Sequence, residues 1–268
     1  MIALPIFRWI PALALAGALA ACGTSYDLPE SADSATSRAA AIFAEARTAP
    51  RAGPSSVATG EARFARVARR IEPVARQFCL QEFQDRTPID CNVRLEIDRQ
   101  MKERNAYFTY TKQGFEGPVI RFTVPMLQDA QSDDEVAFIL GHEYGHLIGQ
   151  HIVKQQQQAL AGALLLGAIT AIGNAGAGVN DPGSIDRSIE IGAAIGQRAY
   201  SQTYELESDM LGTRIARSAG YDPIEGAKFF ARAEAANGRS GLTFWGTHPP
   251  DVKRMEVVIA TTQAIDGS

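Results

Sequence analysis

The pentapeptide His142-Glu143-Tyr144-Gly145-His146 constrains this chain more than any other stretch. It fits the H-E-x-x-H pattern, which demands a helix. Four residues apart on a helix, the two imidazoles sit about 40° apart around the axis and reach one metal ion. Glu143 lies beside them, where a carboxylate can take a proton from a metal-bound water. The pentapeptide also recurs by chance, so its surroundings decide. Ser132-Asp133-Asp134-Glu135 has capping-box form, with Ser132 as N-cap. Asp133 and Asp134 suit the positive end of the helix dipole. Val136, Ile139, Leu140, Leu147 and Ile148 then recur at helical spacing, as an apolar stripe for burial. A carboxylate inside such a helix is costly without a partner. A metal site supplies one; the alternative is a solvated helix with incidental His and Glu residues.

Two placements of a third ligand are open. The extended pattern H-E-x-x-H-x-x-G-x-x-H has Gly149 in place, but its last position is Ile152 and His151 falls one residue early. On a continued helix His151 points about 180° from His142, which makes it an exposed or outer-layer histidine. The better placement is Glu205-Leu206-Glu207-Ser208-Asp209. Glu205 and Asp209 share one helical face. Glu205 can bind the metal, and Asp209 can accept a hydrogen bond from the far ring nitrogen of a ligating histidine. Glu207 points elsewhere and is the weaker candidate. Standing alone, Glu205 and Asp209 would read as an ordinary acidic face.

With these residues in place, the chain resembles the gluzincin zinc metallopeptidases of the HtpX and CAAX prenyl protease type, metallopeptidase family forty-eight. The branch it resembles is that of bacterial envelope lipoproteins such as BepA and LoiP. Phe138 to Glu143 resembles the family's zinc helix, and Tyr200 to Asp209 its second helix, with Gln202 where the family usually has Arg. Ser218-Ala219-Gly220-Tyr221-Asp222-Pro223 resembles the turn that follows, and Thr247-His248-Pro249-Pro250 with Arg254 the late element. The resemblance implies one Zn²⁺ per chain held by His142, His146 and Glu205, with Asp209 behind a histidine and Glu143 as general base. It also implies that His248 lies near the metal, either occluding the open position or supporting the transition state. Its alternative role is capping a helix that starts at Pro249 or Pro250. The implied fold is α+β and mostly helical, with a small sheet beside the zinc helix. The edge strand of that sheet would pair with an extended polypeptide substrate.

Residues 1–21 carry one charge, Arg8, and an apolar run from Ile10 to Gly17. Leu19-Ala20-Ala21-Cys22 has lipobox form, so Cys22 is expected to be acylated and to anchor the chain to a membrane. Gly23 in place of Asp points to the periplasmic face of the outer membrane. Net charge is −4, and no basic patch suggests nucleic acid. Cys79 and Cys91 then remain as an even pair in an oxidising compartment, readable as a disulfide or as two separate thiols.

Residues 22–58, rich in Ala, Ser, Thr, Pro and Gly, read as a lipidated flexible tether, and 59–268 as the peptidase domain. Helix signals run over 60–78 and 223–236, and strand signals over 93–97, 106–110 and 119–124. Between Gln155 and Asn180 there is no charged residue. Its apolar part, Ala159 to Gly173, is shorter than the ~20 residues that span a bilayer. It reads as a core helix continuing the zinc helix, or as a mobile hairpin touching a cleft, membrane or partner. The function that emerges is Glu-assisted peptide hydrolysis, with Tyr204 a further oxyanion candidate; the resemblance implies misfolded envelope proteins as substrates and envelope-assembly proteins as partners. A scaffold or chaperone-like lipoprotein with a plugged protease site is the second reading. A structural zinc site is the third and is weaker, because such sites use four protein ligands, usually with cysteine.

Overall fold

The structure, a computed structural model, describes residues 26–48, 53–198, 201–234, 248 and 251–267. Cys22 and the expected signal segment lie outside the described residues. The chain divides into two compact units. Gln150–Tyr204 form one, and Leu28–Gly149 with Glu205–Ser268 form the other.

The larger unit is helical around a three-stranded sheet, the expected α+β architecture. Helix α1 spans Asp33–Thr48 and α2 spans Val57–Glu82. The strands follow as β1 (Arg94–Asp98), β2 (Ala106–Lys112) and β3 (Glu116–Thr123), and a short helix α3 covers Val124–Asp129. The sheet order is β1-β3-β2. Strand β3 pairs in parallel with β1, with Arg94 opposite Val119, and antiparallel with β2, with Ala106 opposite Phe122. Gly114 in the β2–β3 turn and Gly117 near the start of β3 both adopt positive φ, where a glycine loses nothing to a Cβ clash. Val119, Ile120 and Phe122 are buried, and the Phe122 ring meets Phe64 of α2 at 5.0 Å. Cys79 near the end of α2 is joined to Cys91 by a disulfide, with Cα atoms 5.9 Å apart.

Helix α4 runs Asp133–Ile148 and carries the pentapeptide. The Ser132 hydroxyl accepts from the Glu135 N–H at 3.1 Å, while the Glu135 carboxylate reaches back to the Gln131 N–H at 2.8 Å. The capping box is therefore displaced by one residue on its return bond. Every residue from Glu135 to Ile148 is buried, so this is a helix enclosed on all sides, not one with a single apolar stripe. Edge strand β2 packs on one side of it, α2 on another, and α8 (Pro223–Glu234) on a third. Phe138 of α4 and Phe230 of α8 meet edge to face at 5.3 Å.

Helix α7 (Ser201–Ser218) crosses α4 at glycines. A Cβ on Gly141 would lie 2.8 Å from the Gly212 carbonyl oxygen, and one on Gly145 would lie 2.8 Å from the Ser208 backbone. No larger residue fits without moving one backbone off the other. This contact depth brings the Glu205–Asp209 turn of α7 beside the two histidines of α4. Helix α9 (Val252–Asp266) closes the unit. Its N-cap is Asp251, whose carboxylate accepts from the Lys253 N–H at 2.9 Å, so the helix starts after the two prolines and not at them.

Two expectations need correction. Residues 33–48 are not a coil tether. Ala35, Ala39, Ile42 and Phe43 recur at helical spacing, are buried, and pack α1 against α8 and α9. The charge-free segment does not continue α4 either. Gln150 adopts a left-handed backbone, φ 52°, which ends one helix and starts another. The segment becomes α5 (His151–Gly176), antiparallel to α6 (Pro182–Arg198), and most of its apolar residues are exposed or half-buried rather than core, with Leu160, Leu164, Ile169 and Ile172 exposed. His151, expected to be exposed or in an outer layer, is buried and stacked on the Tyr204 ring at 4.5 Å within this hairpin unit.

Gly145→Ala tests the helix crossing. Alanine gains about 1 kcal/mol of helix propensity, but the backbone obstacle costs roughly 1–3 kcal/mol or more. The expected result is a lower Tm. Gly173→Ala in α5, where a Cβ meets nothing within 4 Å, should instead raise it. Thermal unfolding of both variants checks the contrast.

Candidate active site

The sequence-predicted residues converge in the larger unit. His142, His146, Glu205 and His248 each offer a donor atom, all within 4.8 Å of one another and all buried. The Nε2 atoms of His142 and His146 are 3.0 Å apart. Glu205 lies 3.4 Å from each of them, through Oε2 to His142 and Oε1 to His146. The Nδ1 of His248 stands 3.2 Å from His142 Nε2 and 2.9 Å from Glu205 Oε2. A tetrahedral ion with bonds of ~2.0–2.1 Å has ligand–ligand edges of about 3.3 Å. The measured separations bracket that edge, so the donor set fits a single small divalent ion.

Asp209 sits where α7 places it, one turn beyond Glu205. Its Oδ1 is 2.9 Å from His142 Nδ1, the ring nitrogen facing away from the cluster. Arg254 of α9 donates to both Asp209 oxygens, at 2.7 and 2.8 Å. It also lies 3.3 Å from Glu205 and donates to the His248 carbonyl at 3.2 Å. Its guanidinium stacks 3.9 Å over Phe230. Arg254 was legible only as part of the late sequence element; its buried contacts to Asp209, Glu205 and the His248 backbone were not. The one available signal was a lone arginine soon after two prolines.

Glu143 is held from behind. The Phe108 N–H of edge strand β2 donates to its Oε2 at 2.8 Å. Its Oε1 is buried without a hydrogen-bond partner and lies 3.6 Å from His248 Nε2. A buried, unpaired carboxylate oxygen beside a metal-fitting cluster needs a proton donor such as an attacking water. Burial pushes the Glu143 pKa up, against the pull of His248 and His142. Burial works the same way on Glu205, but His248 and Arg254 outweigh it and hold that carboxyl well below the ordinary range. Burial disfavours a charged His142, yet Asp209 and Glu205 push its pKa up to about 9.

Other candidates fall outside the cluster. Glu207 is buried on another face of α7, and Gln202 is exposed. The Tyr204 hydroxyl accepts a hydrogen bond from Gln158 of α5. Cys79 and Cys91 are taken up by their disulfide.

This geometry agrees with comparison to known proteins. The model of peptidase family M48 matches residues 61–262. The chain belongs to peptidase family M48. That is a family of metalloendopeptidases, and the match covers α2 through most of α9, including every residue of the cluster. The chain is similar to the Escherichia coli metalloprotease LoiP, at 30% identity over 48% of this chain and 50% of LoiP. It is similar to a putative beta-barrel assembly-enhancing protease of Vibrio cholerae, at 31% identity over 38% of this chain and 22% of that protein. It is also similar to the mitochondrial metalloendopeptidase OMA1 of Arabidopsis thaliana, at 26% identity over 53% of this chain and 27% of OMA1. The matched regions thus span half or less of these relatives. They support the BepA and LoiP branch within M48.

Asp209→Asn keeps the shape but weakens the hold on His142 and the charge pairing with Arg254. Metal affinity should fall by about 10–100-fold, read as metal content after dialysis against a graded chelator.

Proposed function

We propose that this chain is a zinc-dependent endopeptidase. The observation that carries the reading is the donor set of His142, His146 and Glu205 with the unpartnered Glu143 Oε1 beside it. The nitrogen and carboxylate donors, at tetrahedral edge lengths, suit zinc. Bound there, zinc would act as a Lewis acid and make water a nucleophile at neutral pH. The protein's own groups do the rest. Glu143 takes the proton of the attacking water on Oε1 and returns it to the leaving amine. The Phe108 N–H on Oε2 keeps the free oxygen aimed into the site. Asp209 fixes the His142 tautomer and ring plane. Strand β2, at the sheet edge alongside α4, offers backbone groups to an extended polypeptide.

His248 favours the plugged state of this enzyme. Its Nδ1 takes the fourth corner of the donor set, the position a water needs. A site closed this way is latent, and substrate engagement has to displace the imidazole. This reconciles the enzyme with the scaffold reading, since a closed protease does no damage while it binds partners.

The address follows from Leu19-Ala20-Ala21-Cys22. We infer a lipoprotein on the periplasmic side of a bacterial outer membrane, with misfolded envelope proteins as substrates and assembly machinery as partner. The Cys79–Cys91 bridge suits an oxidising compartment. The name of the Vibrio cholerae relative, a putative beta-barrel assembly-enhancing protease, supports this setting.

Glu143→Gln should retain zinc and fold while casein digestion falls by a factor of about 10³ or more; undiminished digestion removes Glu143 from this role. His248→Ala should keep zinc through the other three ligands and raise hydrolysis of an unstructured peptide severalfold. A fall in hydrolysis with zinc retained would assign His248 to the transition state instead.

A further inference from the structure

The hairpin of α5 and α6 is built inside out for a protein in water. Its two helices meet through small and hydroxyl-bearing residues. A Cβ on Gly192 would lie 2.2 Å from the Gly162 carbonyl oxygen, and one on Gly167 would lie 2.7 Å from Ile189. Thr170 donates to Ser188 at 2.7 Å, and Asn174 donates to Ser184 at 2.9 Å. Meanwhile the large aliphatic side chains point outward. Leu160, Leu164, Ile169 and Ile172 of α5 are 61%, 65%, 56% and 73% exposed. Ile191 and Ile195 of α6 are 54% and 59% exposed. Small residues between helices, hydrogen-bonding side chains as glue and aliphatics outside is how helices pack in lipid. An exposed patch of this kind needs a cover.

The chemistry of the patch selects the cover. From Gln155 to Asn180 there is no charged residue and no Phe, Tyr, Trp or Met. A protein interface relies on aromatic, Met and Arg anchors, and this stretch of α5 has none. A hydrocarbon phase requires only aliphatic surface and a backbone paired within its own helices. Helix α5 is 26 residues long and apolar enough to cross a bilayer. Its partner α6, however, carries exposed Asp186, Arg187 and Glu190, which do not enter a hydrocarbon core. A hairpin of this make suits the interface more than the hydrocarbon core, with aliphatics down and charges in the headgroups.

We propose that the α5–α6 hairpin is a second membrane contact of this protein, docking on a lipid bilayer through Leu160, Leu164, Ile169 and Ile172. This goes beyond the peptidase reading. It gains reach from the anchor reading, because an acylated Cys22 would hold the chain at a bilayer.

The test uses the full chain with Cys22→Ser, which removes the acyl anchor, and a polarity-sensitive fluorophore on Ile172→Cys. A second protein carries the fluorophore on Glu116→Cys, at the exposed start of β3. With neutral phosphatidylcholine vesicles, the position-172 probe should shift to the blue and be quenched by acyl-chain-labelled lipid, while the position-116 probe should not respond. Leu160→Glu with Leu164→Glu should cut the shift at least fivefold with an unchanged circular dichroism spectrum; both positions are mostly exposed, so folding in water is spared. No shift at position 172 overturns the proposal. So does a shift that appears without vesicles and grows with protein concentration, which would assign the face to a second copy of this chain. Loss of casein digestion alone would bear only on the peptidase reading.

Discussion

The close crossing of α4 and α7 at Gly141, Gly145 and Gly212 is the constraint on which the site depends. Two helices with ordinary side chains at their contact stand about 8–10 Å apart. Here each backbone lies against the other, with an added Cβ at Gly141 or Gly145 meeting main-chain atoms at 2.8 Å. Only at that depth do side chains as short as those of Glu205 and Asp209 reach imidazoles on the facing helix. Burial of α4 on every side then holds the arrangement. The glycines weaken the helices individually, since each costs helix propensity. The packing they permit outweighs that cost.

Burial of so many charges raises its own problem. Glu143, Glu205 and Asp209 converge on one place with a single guanidinium, Arg254, among them. With neutral imidazoles, three carboxylates and one arginine leave two negative charges in a water-poor interior. Buried charges persist only when paired. A divalent cation restores neutrality, and the high pKa of His142 expresses the same pull toward positive charge. Arg254 has a second consequence. It binds Asp209, lies against Glu205 and donates to the His248 carbonyl, so the back of the donor cluster and His248 are tied to one side chain.

The two units follow different packing rules. In the larger one, aliphatic and aromatic residues fill the interior: Phe64 on Phe122, Phe138 on Phe230. In the hairpin unit, glycines and hydroxyls fill the contact and the aliphatics are left outside. One chain therefore carries two units whose interiors are filled by different kinds of side chain.

Much of the site was legible because helical periodicity is local. The His142–His146 and Glu205–Asp209 spacings each specify a shared face from a few residues, and the Ser132 cap marks where α4 begins. The three strands were readable from β-branched and aromatic runs, while the Cys79–Cys91 pairing stayed open until the fold set their Cα atoms 5.9 Å apart. The 33–48 helix was not, because Ala-rich composition looks the same in a tether as in a helix, and only contact with α8 and α9 distinguishes them. The break at Gln150 was hidden because a left-handed residue other than glycine carries no strong local mark. The sequence by itself determined which residue types could hold a metal and move a proton. Tertiary structure alone decided that two helices cross closely enough to unite them, that Phe108 and Arg254 contact the result, and that His248 joins the donor set. Those contacts join residues up to 112 positions apart, as in His142 and Arg254, and no local pattern encodes a distance between elements.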